Sequence, residues 1–149
     1  MSGTILILNG PNLNLLGARE PEIYGSDTIA DIEAVCVAHA ETLGLKVDFR
    51  QSNFEGELVT WVQEAKKAQD ALIVNAGAYS HTSIALLDAL LAIGKPVVEV
   101  HLSNLFKRDE FRRRSYVTAA SAGLISGFGA FGYRMALDAV ADILSNNRT

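Results

Sequence analysis

In the stretch VVEVH, Glu99 and His101 stand two residues apart. On a strand, that spacing puts a carboxylate and an imidazole on the same face. A carboxylate in an otherwise apolar run is costly to bury unless paired, and the neighbouring ring is its natural partner. Such a pair is suited to proton transfer. The carboxylate fixes the tautomer of the ring and favours its protonated form, which makes the imidazole a general acid near neutral pH. The plainer alternative is that Glu99 only caps or bridges structure. His39 and His81 have no metal-ligand spacing to His101, and one cysteine, Cys36, cannot build a zinc site. No metal is expected.

A second set of reactive groups lies in LILNGPNLNLLGAREPEIYG, residues 6 to 25. It begins as an apolar strand and then, in place of a helix, runs through Asn9, Gly10, Asn12, Asn14, Gly17, Arg19, Tyr24 and Gly25. Loops of that length are usually disordered linkers or functional lids. This one is too rich in leucine, isoleucine and tyrosine for a linker. As a lid it would carry one cation, Arg19, and one phenol, Tyr24.

These residues need elements to position them, and the chain alternates between two periods. TILIL (4–8), KVDFRQ (46–51), ALIVNAG (71–77), VVEVH (97–101) and GLISGFG (123–129) read as strands. Helical patterns cover 28–43, 56–68, 82–93 and 131–144, the first with Asp27 or Thr28 as cap and Gly44 as stop. Strands alternating with helices predict an α/β fold: a five-stranded parallel sheet covered on both faces. The order 2-1-3-4-5 is common for five strands, but the pattern does not fix it. In open sheets of this kind, ligands bind outside the carboxyl ends of the strands. Those ends carry Asn9 and Asn12, then Asn75 and Gly77, then Glu99, His101 and Ser103. Three strands are therefore expected to point amides, an imidazole and a carboxylate at one crevice.

Composition narrows the class. A chain of 149 residues with 49% hydrophobic content is one domain's worth, 1–149, with room for a full core. No apolar run approaches the roughly 20 residues of a membrane span. The first residues show no basic stretch followed by a small-residue cleavage site. One cysteine makes no internal disulfide. A net charge of −4 argues against nucleic acid. The expectation is a soluble, cytoplasmic domain without membrane or nucleic-acid partners.

Two motifs are set aside. GFGAFG (127–132) fits G-x-G-x-x-G, yet only seventeen residues follow Gly132, so no later strand can supply a ribose-binding acid. Close packing of the fifth strand on the last helix is the expected role. The basic run KRDEFRRR (107–114) is interrupted by Asp109 and Glu110 and reads as a solvated helix start, with one arginine turned toward the crevice.

ILNGPNLNLLGAREPEIYG, NAGAYSHTSIALLDAL, VEVHLSN and KRDEFRRRS together resemble the type II 3-dehydroquinate dehydratases over essentially the whole chain. The resemblance implies a flavodoxin-like three-layer sandwich, no cofactor, and a homo-oligomer, usually a dodecamer built from trimers. It also implies anti elimination of water from 3-dehydroquinate through an enolate, in the shikimate pathway. In that reading Tyr24 is the base. Ionising a free phenol of pKa about 10 at pH 7 costs roughly 4 kcal/mol, and Arg19 closing on Tyr24 would offset it. Asn12 would hold the water or dipole facing the enolate, and His101, oriented by Glu99, would be the acid. The substrate carboxylate would meet Asn75, the Leu102 and Ser103 backbone amides and the Ser103 hydroxyl. His81 and Arg112 would take ring hydroxyls, and Asp88, the lone charge in SIALLDALLAIG, would reach a neighbouring subunit's site. The rival from another class is a flavodoxin-like FMN- or nucleotide-binding domain. Against it, the first loop lacks a phosphate-cradling run of Thr, Ser and Gly.

Overall fold

The computed structural model describes residues 2–18 and 20–146. Its centre is a parallel sheet of β1 (Thr4–Asn9), β2 (Lys46–Gln51), β3 (Ala71–Asn75), β4 (Val97–His101) and β5 (Gly123–Ser126). The order is β2-β1-β3-β4-β5, which the periodicity alone left open. Every residue of β3 and β4 is buried, as expected for strands covered on both faces. Helices α2 (Ile29–Thr42) and α5 (Phe131–Asn146) seal one face, around Ile5, Ile7, Ile73 and Val100. Helices α3 (Glu55–Ala68) and α4 (Ile84–Ile93) seal the other, around Leu6, Leu8, Leu72 and Val74. No helix among the described residues is long and apolar enough to cross a membrane.

Local chemistry settles several boundaries. Thr28, not Asp27, caps α2: its hydroxyl accepts from the Asp31 N–H at 3.1 Å, and its own N–H donates to the Asp31 carboxylate at 3.0 Å. Ser83 caps α4 by accepting from the Leu86 N–H at 2.9 Å, so that helix starts two residues later than the pattern suggested. The first loop is not devoid of helix. It holds a 3-10 turn at Leu13–Leu15 and a single turn, α1 (Pro21–Tyr24), both too short to register as periodicity.

Two expectations fail. The basic run does not start a helix: β4 connects to β5 through 3-10 turns at Leu105–Lys107, Glu110–Arg112 and Val117–Ala120. Between 107 and 114 only Phe111 is apolar, so no helical face could be buried. Nor does the glycine-rich run owe its glycines to strand–helix packing. A Cβ on Gly132 would meet Ile125 and Val100 at ordinary distances of 3.4 and 3.6 Å. The tight position is Gly127, with φ +105° and a notional Cβ 3.0 Å from Asn104, which lets β5 turn against the loop leaving β4.

Gly10 decides how close two site loops come. A Cβ there would lie 2.1 Å from the Ala76 carbonyl oxygen, while the Gly10 N–H donates to the Asn75 carbonyl at 2.8 Å. Gly10→Ala must push the loops after β1 and β3 apart. It is expected to cost at least about 1–3 kcal/mol, as overpacking does. Thermal unfolding checks this, and a parental Tm would contradict the contact.

Candidate active site

The sheet register brings the polar strand ends level. Asn9 pairs with Asn75, Val74 with Glu99, and His101 with Ser126. Beyond those ends lies a crevice with four walls. The first loop gives Asn12, Leu13 and Tyr24; the exit of β3 gives Asn75, Gly77 and His81; the exit of β4 gives His101, Leu102 and Ser103; the basic segment gives Arg108 and Arg112. Of the residues singled out from sequence, Asn12, Tyr24, Asn75, His81, His101, Leu102, Ser103 and Arg112 line this one space, with Glu99 behind them. Arg19 lies outside the described residues. Asp88 does not line it; it sits on the exposed face of α4.

Glu99 is wholly buried, and its carboxylate accepts from three side-chain donors. Oε2 accepts from His101 Nε2 and from the Ser115 hydroxyl, each at 2.5 Å, and Oε1 accepts from the Thr118 hydroxyl at 2.5 Å. Burial pushes the carboxyl pKa up. The bond and charge of His101, with the Ser115 and Thr118 hydroxyls, overcome that and hold it below its ordinary value. Glu99 is therefore a fixed negative charge gripping the ring of His101. Ser115 and Thr118 escaped the sequence reading. The signal was there: a buried carboxylate has about four acceptor sites, and one imidazole fills only one.

His81 is held differently. Its Nδ1 lies 2.8 Å from the Arg114 carbonyl, which can only accept, so Nδ1 carries the proton. Burial pushes the pKa of His81 down, His101 and Arg112 push the same way, and the Arg114 carbonyl and Glu99 oppose them. The ring is thus neutral near pH 7, and Nε2 is left as an acceptor.

The arginines and the loop complete the walls. Arg108, which the sequence reading did not select, holds its guanidinium 5.2 Å from the centre of the Tyr24 ring and donates to the Ser103 hydroxyl at 3.3 Å. Arg112 has a buried Nε with no hydrogen-bond partner among the described residues, and the Asp109 carboxylate is 4.0 Å away. A buried cationic donor in that condition suits an incoming oxygen ligand. Asn12 adopts a left-handed conformation at φ 68°, and Glu20 another at φ 41°. The Asn12 N–H is tied to the Asn53 side chain at 3.0 Å. Strained backbone of this sort collects at functional loops.

The Dehydroquinase class II family model matches residues 3–141. The chain belongs to this family. A 3-dehydroquinate dehydratase of Streptomyces avermitilis is 56% identical over 145 residues, 97% of this chain and 91% of that one. The 3-dehydroquinate dehydratase 1 of Agrobacterium fabrum is 56% identical over 143 residues, 96% of this chain and 99% of its own. The crystal structure of the type II dehydroquinase from Propionibacterium acnes superposes with a TM-score of 0.91 at 43% identity, covering 95% of this chain and 98% of that one. The flavodoxin-like sandwich expected of a class II dehydroquinase is the fold observed, and the FMN- or nucleotide-binding alternative is not favoured.

Proposed function

We propose that this chain, as one catalytic domain, is a 3-dehydroquinate dehydratase: a hydro-lyase that forms 3-dehydroshikimate by anti elimination through an enolate. The observation that carries the reading is the convergence of a lid phenol, Tyr24, and a carboxylate-held imidazole, His101, on one crevice in a class II dehydroquinase. Tyr24 takes the proton alpha to the ketone, with Arg19 favouring the phenolate. Asn12 supports the enolate oxygen. His101, oriented by Glu99, protonates the departing hydroxyl. Asn75, the Leu102 and Ser103 amides and the Ser103 hydroxyl hold the substrate carboxylate. His81 accepts from a ring hydroxyl, and Arg112 donates to another. These steps are proton transfers among the chain's own groups and need no cofactor. Adding 3-dehydroquinate to the purified protein should raise the ultraviolet absorbance of a conjugated enone carboxylate; a flat trace overturns the assignment.

The enzyme is further read as a cytoplasmic homo-oligomer, a dodecamer built from trimers. Supporting this, Ile84 and Leu91 are 55% and 56% exposed on the outer face of α4, with Asp88 between them. A second copy covering that apolar face would receive Asp88, which in this reading hydrogen-bonds through the interface to substrate in the neighbour's crevice. Asp88→Ala should then lower activity about 10–100-fold, the worth of a hydrogen bond to a charged group. Oligomers refolded from Tyr24→Phe and Asp88→Ala subunits should regain activity, because some sites draw both residues from intact positions. Mixed oligomers as inactive as either parent would refute the shared site.

A further inference from the structure

Directly after the glycine-rich run, on the first turn of α5, stands Tyr133. It is fully buried, and its hydroxyl lies against the carboxyl ends of β1 and β3. That hydroxyl donates to Asn9 Oδ1 at 2.7 Å and accepts from Asn75 Nδ2 at 2.9 Å. At one end of the chain of bonds, Asn9 Nδ2 donates to the Arg50 carbonyl at 3.0 Å. At the other, the Gly77 N–H donates to Asn75 Oδ1 at 3.3 Å. A backbone carbonyl can only accept and a backbone N–H can only donate. The series therefore runs in one direction, and it fixes both amides. Asn75 must turn its oxygen toward Gly77 and its nitrogen toward Tyr133. The Gly77 bond is the longer of the two, so the Tyr133 hydroxyl is the firmer hold. Burial pushes the Tyr133 phenol up, so it stays a protonated donor to Asn9.

Asn75 Nδ2 has two hydrogens and gives one to Tyr133. The second is what Asn75 can offer to the crevice it lines. We propose that Tyr133 is a positioning residue: through the buried Asn9–Tyr133–Asn75 series it locks the Asn75 amide as a donor, so that this end of the crevice selects a carboxylate. The inference rests on Asn75 being a ligand of the substrate carboxylate.

Steady-state kinetics with 3-dehydroquinate on Tyr133→Phe, Asn75→Ala and the double variant test it. Asn75→Ala should raise KM about tenfold or more, as losing a hydrogen bond to a charged group does. Tyr133→Phe should raise KM several-fold and leave kcat within about twofold, since residues in one hydrogen-bond network couple. The double variant should match Asn75→Ala alone, because a lock has nothing left to hold. A purely structural role would instead add its effect in both backgrounds, and additive KM changes overturn the proposal. So does a parental KM in Tyr133→Phe while Asn75→Ala is impaired. An unchanged KM in Asn75→Ala overturns the carboxylate reading itself, and the proposal falls with it. If Tyr133→Phe does not fold, Asn9→Ala, which removes the acceptor that orients the hydroxyl, must show the same coupling to Asn75→Ala.

Discussion

Tyr24→Phe is expected to lower turnover of 3-dehydroquinate by about 10²–10⁴-fold, the usual worth of a positioned general base. The substitution removes one oxygen and nothing else. The ring of Tyr24 is part-buried and packs against the core under α2 and α5, and Arg108 stands over its face. Those contacts belong to the ring and survive in phenylalanine. Both Tm and KM should therefore stay close to the parent's, and the loss should fall on kcat. The local chain also argues for a placed side chain. Tyr24 ends the single turn of α1, Gly25 at φ 89° stops that turn, and the Thr28 capping box anchors the chain three residues later. Rate measurement from the enone absorbance, beside a thermal melt, decides the matter. A folded Tyr24→Phe enzyme with near-parental kcat would remove Tyr24 from the mechanism.

The first loop could be read as an irregular, ordered segment because its composition fits neither a helix nor a linker, whereas its internal turns could not, since three or four residues carry no period. Glu99 and His101 could be paired from their spacing alone, because a strand's side-chain period of two needs no tertiary information. Ser115 and Thr118 belong to the same cluster, yet they arrive from a connection with no regular period, and only the fold shows that it bends back over β4. The missing helix between β4 and β5 has the same cause: the basic run holds too few apolar residues to form a helix face, and charge alone does not say what the backbone does instead. Arg108 and Arg112 illustrate the limit. The sequence shows several arginines near the crevice, and only the 3-10 turns determine which of them face it. Asp88 is the opposite case. Its oddity is plain in SIALLDALLAIG, but one copy of the chain leaves it on an open surface.

His101→Ala should separate two half-reactions. Loss of the alpha proton depends on the base, so exchange of that proton with solvent should persist. Departure of hydroxide, a poor leaving group, depends on the acid, so elimination should fall by about 10²-fold or more. Comparing solvent-deuterium exchange with product formation measures the two separately. Glu99→Gln should be milder, because it keeps the shape and a hydrogen-bond acceptor while removing the charge that stabilises the imidazolium. The cluster also has a pH signature. Glu99 in the fold has a pKa below its ordinary value. Its contribution to stability is complete above the ordinary carboxylate range and is lost as pH falls through the lowered folded value. Thr118→Val deletes one of the three donors and so raises the folded value toward the ordinary one. The stability that Glu99 supplies then shrinks, and acid unfolding followed by circular dichroism should begin at a higher pH than in the parent. An unchanged acid transition would mean that the Thr118 bond does not hold the carboxylate charged. If His101→Ala both exchanges and eliminates like the parent, the acid is some other group.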